Sequence, residues 1–247
     1  MRPFIVEMDK ISKRKETYLF LLIFFTIPIF FSYQLNKDSG VVALHSNRAS
    51  INIFELIDLY LGFITSLFLP FIAISGMTTS TLAREIEEGS IKLYLSHSKS
   101  RSSLFLAKFM SLAVTMLILY VLFCASGYLG SLLFDNKKVI FDYNAEAIRS
   151  LLQTFLYSYI VTIVLELIGL FSSLFVGVTG TYIVMLGLIF ISKILELSNI
   201  SKEYLLTFLC DSAKVKDSNE AIFTLCLYLL LFRILGLITF KKMDVKK

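Results

Sequence analysis

The side chains best placed for chemistry lie in one charged segment, residues 84–101, with the sequence REIEEGSIKLYLSHSKSR. Its acidic residues are Glu85, Glu87 and Glu88, and its apolar residues are Ile91, Leu93 and Leu95. Gly89, between the two groups, is a natural helix end, and Ser90 can cap a new short helix. Such a helix–break–helix unit suits docking to a soluble partner. The alternative is an ordinary solvated connector.

Three further acidic residues lie in or beside apolar stretches. Glu166 is the one charged residue between Ser150 and Ser192, and a carboxylate inside a bilayer must be neutral, paired or hydrated. Glu166 is either a pathway residue that meets a cationic substrate or a hydrogen-bonded carboxyl that joins two helices. Glu55 and Asp58 lie about one helical turn apart and form either an acidic mouth of the pathway or a marker of the membrane interface.

The sequence lacks the usual catalytic and metal-binding patterns. It contains no G-x-x-x-x-G-K-[ST], no H-E-x-x-H and no G-x-S-x-G motif. The two histidines, His45 and His97, lie far apart in polar segments. The three cysteines form neither a disulfide framework nor a metal-binding pair. We therefore expect that the chain is not an enzyme and that it binds no metal or cofactor itself.

The composition is typical of a membrane protein. Of the 247 residues, 56% are hydrophobic and 17% charged, and the mean hydropathy is +0.76. A soluble domain of this size cannot bury so much apolar surface, so the excess must face lipid. The net charge of +5 indicates membrane topology rather than nucleic-acid binding, because the basic residues cluster at the ends of apolar segments. We predict an all-α integral membrane protein with a single transmembrane domain over residues 1–247.

Six apolar stretches are long enough to cross a bilayer core of about 30 Å. They are residues 18–35, 56–80, 104–134, 150–172, 178–195 and 221–240. The fourth and fifth must be separate, because one helix over Ser150–Ser192 would be about 64 Å long. The serines and glycines between Ser172 and Gly180 are the expected place of the break.

The N-terminal residues before the first span predict a short amphipathic helix on the membrane surface, with an unstructured basic tail as the alternative. Its apolar face would carry Phe4, Ile5, Met8 and Ile11. With both termini in the cytoplasm, cytoplasmic segments hold 15 Lys and Arg residues and outer segments hold 9. This asymmetry favours a cell-membrane protein with both termini in the cytoplasm.

The charged segment resembles the loop between spans two and three of the ABC-2 type permease family, the membrane subunits of ATP-driven exporters. The family pattern reads E-x-E-x-G-T-(x)-x-L-L-L-S-x-P-x-S-R and is followed by an apolar stretch entered through G-K. The matching residues are Glu85, Glu87, Glu88, Gly89, Ser90, Leu93, Leu95, Ser96, Ser100, Arg101 and Lys108. The sequence departs from the pattern at Ile86, Ser98 and Ala107, where the family has arginine, proline and glycine.

The resemblance implies that the segment is a coupling helix seated in a groove of a separate ATP-binding subunit. The implied coupling residues are Arg84, Glu85, Glu87, Glu88, Gly89, Ile91, Leu93, Leu95, Ser96 and Arg101. It also implies a second copy of this chain or a related permease as partner, and ATP and Mg bound by the ATPase subunit alone. Short helices within residues 193–220 would dip into the outer leaflet.

The function so implied is export of a hydrophobic or amphipathic substrate, such as an antimicrobial or cytolytic peptide or a drug. The alternative is a membrane immunity, receptor or scaffold protein that transports nothing. A scaffold needs no coupling loop, so the charged segment is the feature that distinguishes the two.

Overall fold

The computed structural model describes residues 2–36, 51–91, 101–134, 139–197 and 219–242. This part of the chain is mainly helical, as the composition predicts. The helices are α1 (Arg2–Ser12), α2 (Lys15–Asn36), α3 (Ile53–Ser66), α4 (Leu69–Thr78), α5 (Arg84–Glu87), α6 (Arg101–Leu133), α7 (Ala145–Ser172), α8 (Val178–Leu197) and α9 (Asn219–Lys242). A π-helical turn, Thr79–Ala83, joins α4 to α5, and the strands are β1 (Ile51–Asn52) and β2 (Val139–Ile140).

Three helices in the described ranges, α2, α6 and α7, are long and apolar enough to cross a membrane. A fourth candidate is the bent pair formed by α3 and the helix that continues from α4 to Glu87. Helices α8 and α9 contain shorter apolar stretches, Val178–Ile191 and Leu227–Phe240. These helices make the chain a membrane protein, while the count of six spans stays a prediction.

The second predicted span, residues 56–80, is not one straight helix. Helix α3 ends at Ser66, and the axis bends by 57° before the chain continues from Leu69. Phe68 takes a left-handed conformation at φ 58°, and Pro70 lies in the first turn of α4. A proline has no N–H to donate and is tolerated only in the first turn, so a new helix begins at this point.

The other described helices begin and end close to the predicted boundaries. Helix α7 ends at Ser172 and α8 begins at Val178, so the predicted break is confirmed. A helix is present at the predicted N-terminal position, as α1, while its location on the membrane surface stays a prediction. The expected short helices of residues 193–220 fall mostly on residues 198–218, outside the described part.

Two strands join the beginnings of α3 and α7 at one end of the bundle, the ribbon end. Strand β1 pairs in parallel with β2, and the Asn52 side chain donates a hydrogen bond to the backbone oxygen of Asp142 at 2.8 Å. Asn52 and Asn144 cap α3 and α7 by accepting hydrogen bonds from backbone N–H groups of the first turn. Helix α6 begins at the opposite end of the bundle, the α1 end, where the charged segment lies, and runs to the ribbon end.

Candidate functional site: a buried ion cluster behind the charged segment

Lys108 is the central residue of the α1 end. Its side chain is fully buried, and the Nζ atom donates hydrogen bonds to Glu7 Oε2 at 2.8 Å and to Glu85 Oε2 at 2.7 Å. A third bond reaches the backbone oxygen of Thr81 in the π-helical turn at 3.3 Å. All three ammonium protons therefore have acceptors, which a buried lysine requires.

Two more basic residues complete the arrangement. Lys10 Nζ lies 2.8 Å from Glu7 Oε1 and 3.4 Å from Glu85 Oε1. Arg14 approaches Glu85 Oε1 at 3.7 Å and donates a hydrogen bond to Thr81 Oγ1 at 3.3 Å. We call Glu7, Lys10, Arg14, Glu85 and Lys108 the Lys108 cluster. It sets three cations against two carboxylates in a largely buried site.

The electrostatics of Glu7 follow from this geometry. Burial by itself raises the pKa of the Glu7 carboxyl, but the nearby ammonium groups of Lys108 and Lys10 lower it by more. The net pKa lies below the ordinary value of 4.5. Glu7 is thus a carboxylate at neutral pH, and α1 is tied to α6 by a charged hydrogen bond.

Each charged residue of α5 contacts a different helix. Arg84 lies 3.7 Å from Glu16 of α2, in a pair that is largely exposed. Glu85 belongs to the Lys108 cluster and so contacts α1 and α6. Glu87 Oε1 accepts a hydrogen bond from the backbone N–H of Val178, the first residue of α8, at 2.7 Å. One turn of helix therefore joins four helices of the bundle.

The contact between Glu87 and α8 depends on a glycine. A Cβ atom on Gly177 would lie 2.0 Å from Glu87 Oε1, which no side chain permits. Gly177 lies in the break predicted between the fourth and fifth spans. Its absence of a side chain lets the carboxylate reach the helix N-terminus, where a negative charge is favourable.

The structure places part of the predicted coupling segment inside the protein. Gly89, at φ 72°, ends the helix as predicted, and Glu88 beside it is exposed. Ile91 is only 2% exposed and Glu85 is buried, so both are used within this chain, whereas we expected contact with a partner. Leu93, Leu95 and Ser96 lie outside the described residues, as does the side chain of Arg101.

The other predicted acidic residues lie apart from this cluster. Asp58 Oδ2 accepts a hydrogen bond from Ser150 at 2.6 Å, and Glu55 lines a cavity of about 550 Å³ at the ribbon end with Asn52 and Asp142. Glu166 is fully buried, and neither carboxylate oxygen has a hydrogen-bond partner within the described ranges. Glu166 and Ser150 are separated by about 24 Å along α7, so the structure does not bring Glu166 together with Asp58.

A family described as a protein of unknown function, DUF2705, matches residues 19–246 of the chain. The chain belongs to this family. No curated protein matches it. The DUF2705 match begins inside α2, so Glu85 and Lys108 fall within it while Glu7, Lys10 and Arg14 of the same cluster precede it.

Sequence reasoning on this DUF2705 protein misses the Lys108 cluster. Lys108 corresponds to the lysine of the ABC-2 permease pattern that the charged segment resembles, and Glu7 and Lys10 have the three-residue spacing of a helical ion pair. The contact between Glu7 and Lys108, 101 residues apart, leaves no trace in local spacing. The predicted apolar face of α1 is only partly right: Ile11 of that face is buried, but Ile5 is 62% exposed and Glu7, which was placed outside the face, is buried.

Proposed function

We propose that this chain is the permease subunit of an exporter driven by a separate ATP-binding chain, and that it works with a second copy of itself or a related permease. The observation that carries the proposal is the attachment of the charged segment to four helices through one turn, α5. A displacement of this turn acts on α1 and α6 through Glu85, on α2 through Arg84 and on α8 through Glu87.

The buried cluster makes this attachment stiff. Breaking it would leave carboxylates and an ammonium group unpaired in a dehydrated site, which costs several kcal/mol. A push on the segment is therefore carried to the helices rather than absorbed at the joint. The exposed Glu88 and the apolar residues Leu93 and Leu95 of the segment are proposed to meet the ATPase, whose own site binds ATP and Mg.

The exported molecule is a hydrophobic or amphipathic peptide or drug, and the protein lies in the cell membrane with both termini in the cytoplasm. A scaffold or immunity protein has no use for a stiff connection between the charged segment and four helices, so the transport role accounts for more of the geometry.

The test is co-purification of an ATPase. The tagged chain is isolated from its native membranes in a mild detergent, and associated chains are searched for the G-x-x-x-x-G-K-[ST] motif and for ATP hydrolysis. We expect Leu93→Asp to remove both, and Glu88→Gln to weaken them only slightly, because buried apolar anchors carry most of the binding energy of an interface.

The matched control is Tyr143→Asp, which adds the same charge at the ribbon end, where Tyr143 is 83% exposed. It should keep the ATPase. If Leu93→Asp retains the ATPase and its activity in a normally inserted protein, the segment is a solvated connector and the proposal fails.

A further inference from the structure

Glu166 is a buried acid without a counter-charge in the described part of the chain. Its side chain is fully buried in α7, and both oxygens lack a hydrogen-bond partner there. This contrasts with Glu7 and Glu85, whose carboxylates are each met by two or three cations. A carboxyl group in such surroundings needs a proton or a positive partner from elsewhere.

A line of hydroxyl groups on α7 leads towards Glu166. Ser150, Thr154, Ser158 and Thr162 follow one another at four-residue intervals, and Glu166 is the next position of this row. The row begins at the ribbon end, where Ser150 donates to Asp58. The Ser158 hydroxyl is a second buried polar group with no hydrogen-bond partner in the described ranges. The row therefore forms a polar track that ends at the unpaired acid.

Aromatic rings lie along the same part of the bundle. Tyr120 of α6 makes edge contacts with Phe155 and Tyr159 of α7, with ring centroids 5.6 and 6.3 Å apart. Tyr159 precedes Glu166 by seven residues, or about two helical turns, and so lies on the same face of α7. Five residues after Glu166 on the same helix, the ring of Phe171 lies 6.1 Å from that of Phe232 of α9, measured between centroids. Aromatic faces attract organic cations, particularly where water is excluded.

We propose that Glu166 binds the positive group of a lipophilic organic cation, such as an amine, guanidinium or quaternary onium group flanked by apolar surface. The inference rests on the proposed function and names the substrate class of that exporter. A metal ion is a poorer match, because it needs several oxygen, nitrogen or sulfur ligands. The described residues include no group of three or more His, Cys, Asp or Glu side chains suited to hold one.

The experiment measures binding of tetraphenylphosphonium to the purified chain in a neutral maltoside detergent. Tetraphenylborate, which has nearly the same shape and the opposite charge, is the matched ligand. Glu166→Gln keeps the size of the side chain and removes its charge. Glu146→Gln, at the exposed start of the same helix, is the control variant. The thermal midpoint of each protein without ligand reports whether it is folded.

We expect Glu166→Gln to weaken tetraphenylphosphonium binding by about tenfold or more, since a buried charge loses its partner. Binding of tetraphenylborate should not weaken with this change, and Glu146→Gln should behave as the wild type. Equal tetraphenylphosphonium affinity in the wild type and Glu166→Gln overturns the proposal and leaves Glu166 as a protonated structural acid. If Glu166→Gln does not fold, the wild-type protein decides the question. The proposal is then overturned if the wild type binds tetraphenylphosphonium no more tightly than tetraphenylborate.

This experiment needs no ATPase, so its outcome is independent of the co-purification test. If the chain binds the cation but no ATPase co-purifies, the proposed Glu166 site stands and the proposed exporter function fails. An ATPase without cation binding would retain the exporter and exclude this substrate class.

Discussion

Lys108 Nζ lies 2.7 Å from Glu85 Oε2, and both side chains are almost wholly withdrawn from solvent. This single bond joins the charged segment to the long helix α6. Because the same ammonium group also binds Glu7, the position of α1 depends on the position of the segment. The pair thus couples a surface element to the interior of the bundle.

We expect Lys108→Met to be strongly destabilising. Methionine fills a similar volume but leaves Glu7 and Glu85 without their shared buried partner, a change worth about 3–5 kcal/mol. Thermal unfolding in detergent measures the loss.

The control for this change is Lys13→Met. The Lys13–Asp9 pair is as short, at 2.6 Å, but the two side chains are 71% and 59% exposed. Its removal should cost less than about 1 kcal/mol. If Lys13→Met and Lys108→Met lower the stability by the same amount, burial does not make the ion pairs of the Lys108 cluster more stabilising than an exposed pair.

At acidic pH the protein should lose the stability that the Glu7 carboxylate contributes. Its pKa in the folded protein lies below 4.5, so its stabilising effect is complete above the ordinary pKa and is lost as the pH falls through the lowered folded value. We expect Glu7→Gln to be less stable than the wild type at pH 7, by about 1–3 kcal/mol. The difference should shrink steadily below pH 4.5, as thermal midpoints over a pH series will show. A difference that is constant with pH would mean that Glu7 is not charged in the cluster.

Gly177→Ala should break the link between α5 and α8. The new methyl group would lie 2.0 Å from Glu87 Oε1, so the carboxylate must leave the Val178 N–H, at a cost of about 1–2 kcal/mol. Gly187→Ala on the same helix meets nothing within 4 Å and should be neutral or stabilising.

A double-mutant cycle isolates the Glu87 contact. In a Glu87→Ala background, Gly177→Ala should cost almost nothing, because the carboxylate it displaces is absent. Thermal midpoints of the four proteins give the coupling. If the stability losses of the two single variants simply add in the double variant, Gly177→Ala does not act through the Glu87 carboxylate.

Thiol labelling tests the orientation. With Cys124, Cys210 and Cys226 replaced by alanine, we expect a cysteine at Tyr143 to react with a membrane-impermeant maleimide on intact cells. A cysteine at Glu88 should react only after permeabilisation. The opposite pattern would reverse the predicted topology.

The sequence predicted what depends on local composition and missed what depends on distant contacts. The break after Ser172 and the helix end at Gly89 were predicted correctly, because hydropathy and glycine chemistry act locally. The bend at Phe68 was missed although Pro70 marks it, because the apolar run continues on both sides. The burial of Lys108 could not be predicted, since its partner Glu7 belongs to another helix 101 residues earlier.

That separation has a consequence for biosynthesis. At about 5–20 residues per second, the ribosome makes Lys108 on the order of 5–20 s after Glu7. During this interval the carboxylate of Glu7 has Lys10 of its own helix as a partner but lacks the fully buried ammonium group that α6 supplies, so it stays hydrated at the membrane surface. Helix α1 therefore reaches its native place in the bundle only after α6, although it is synthesised earlier than α6.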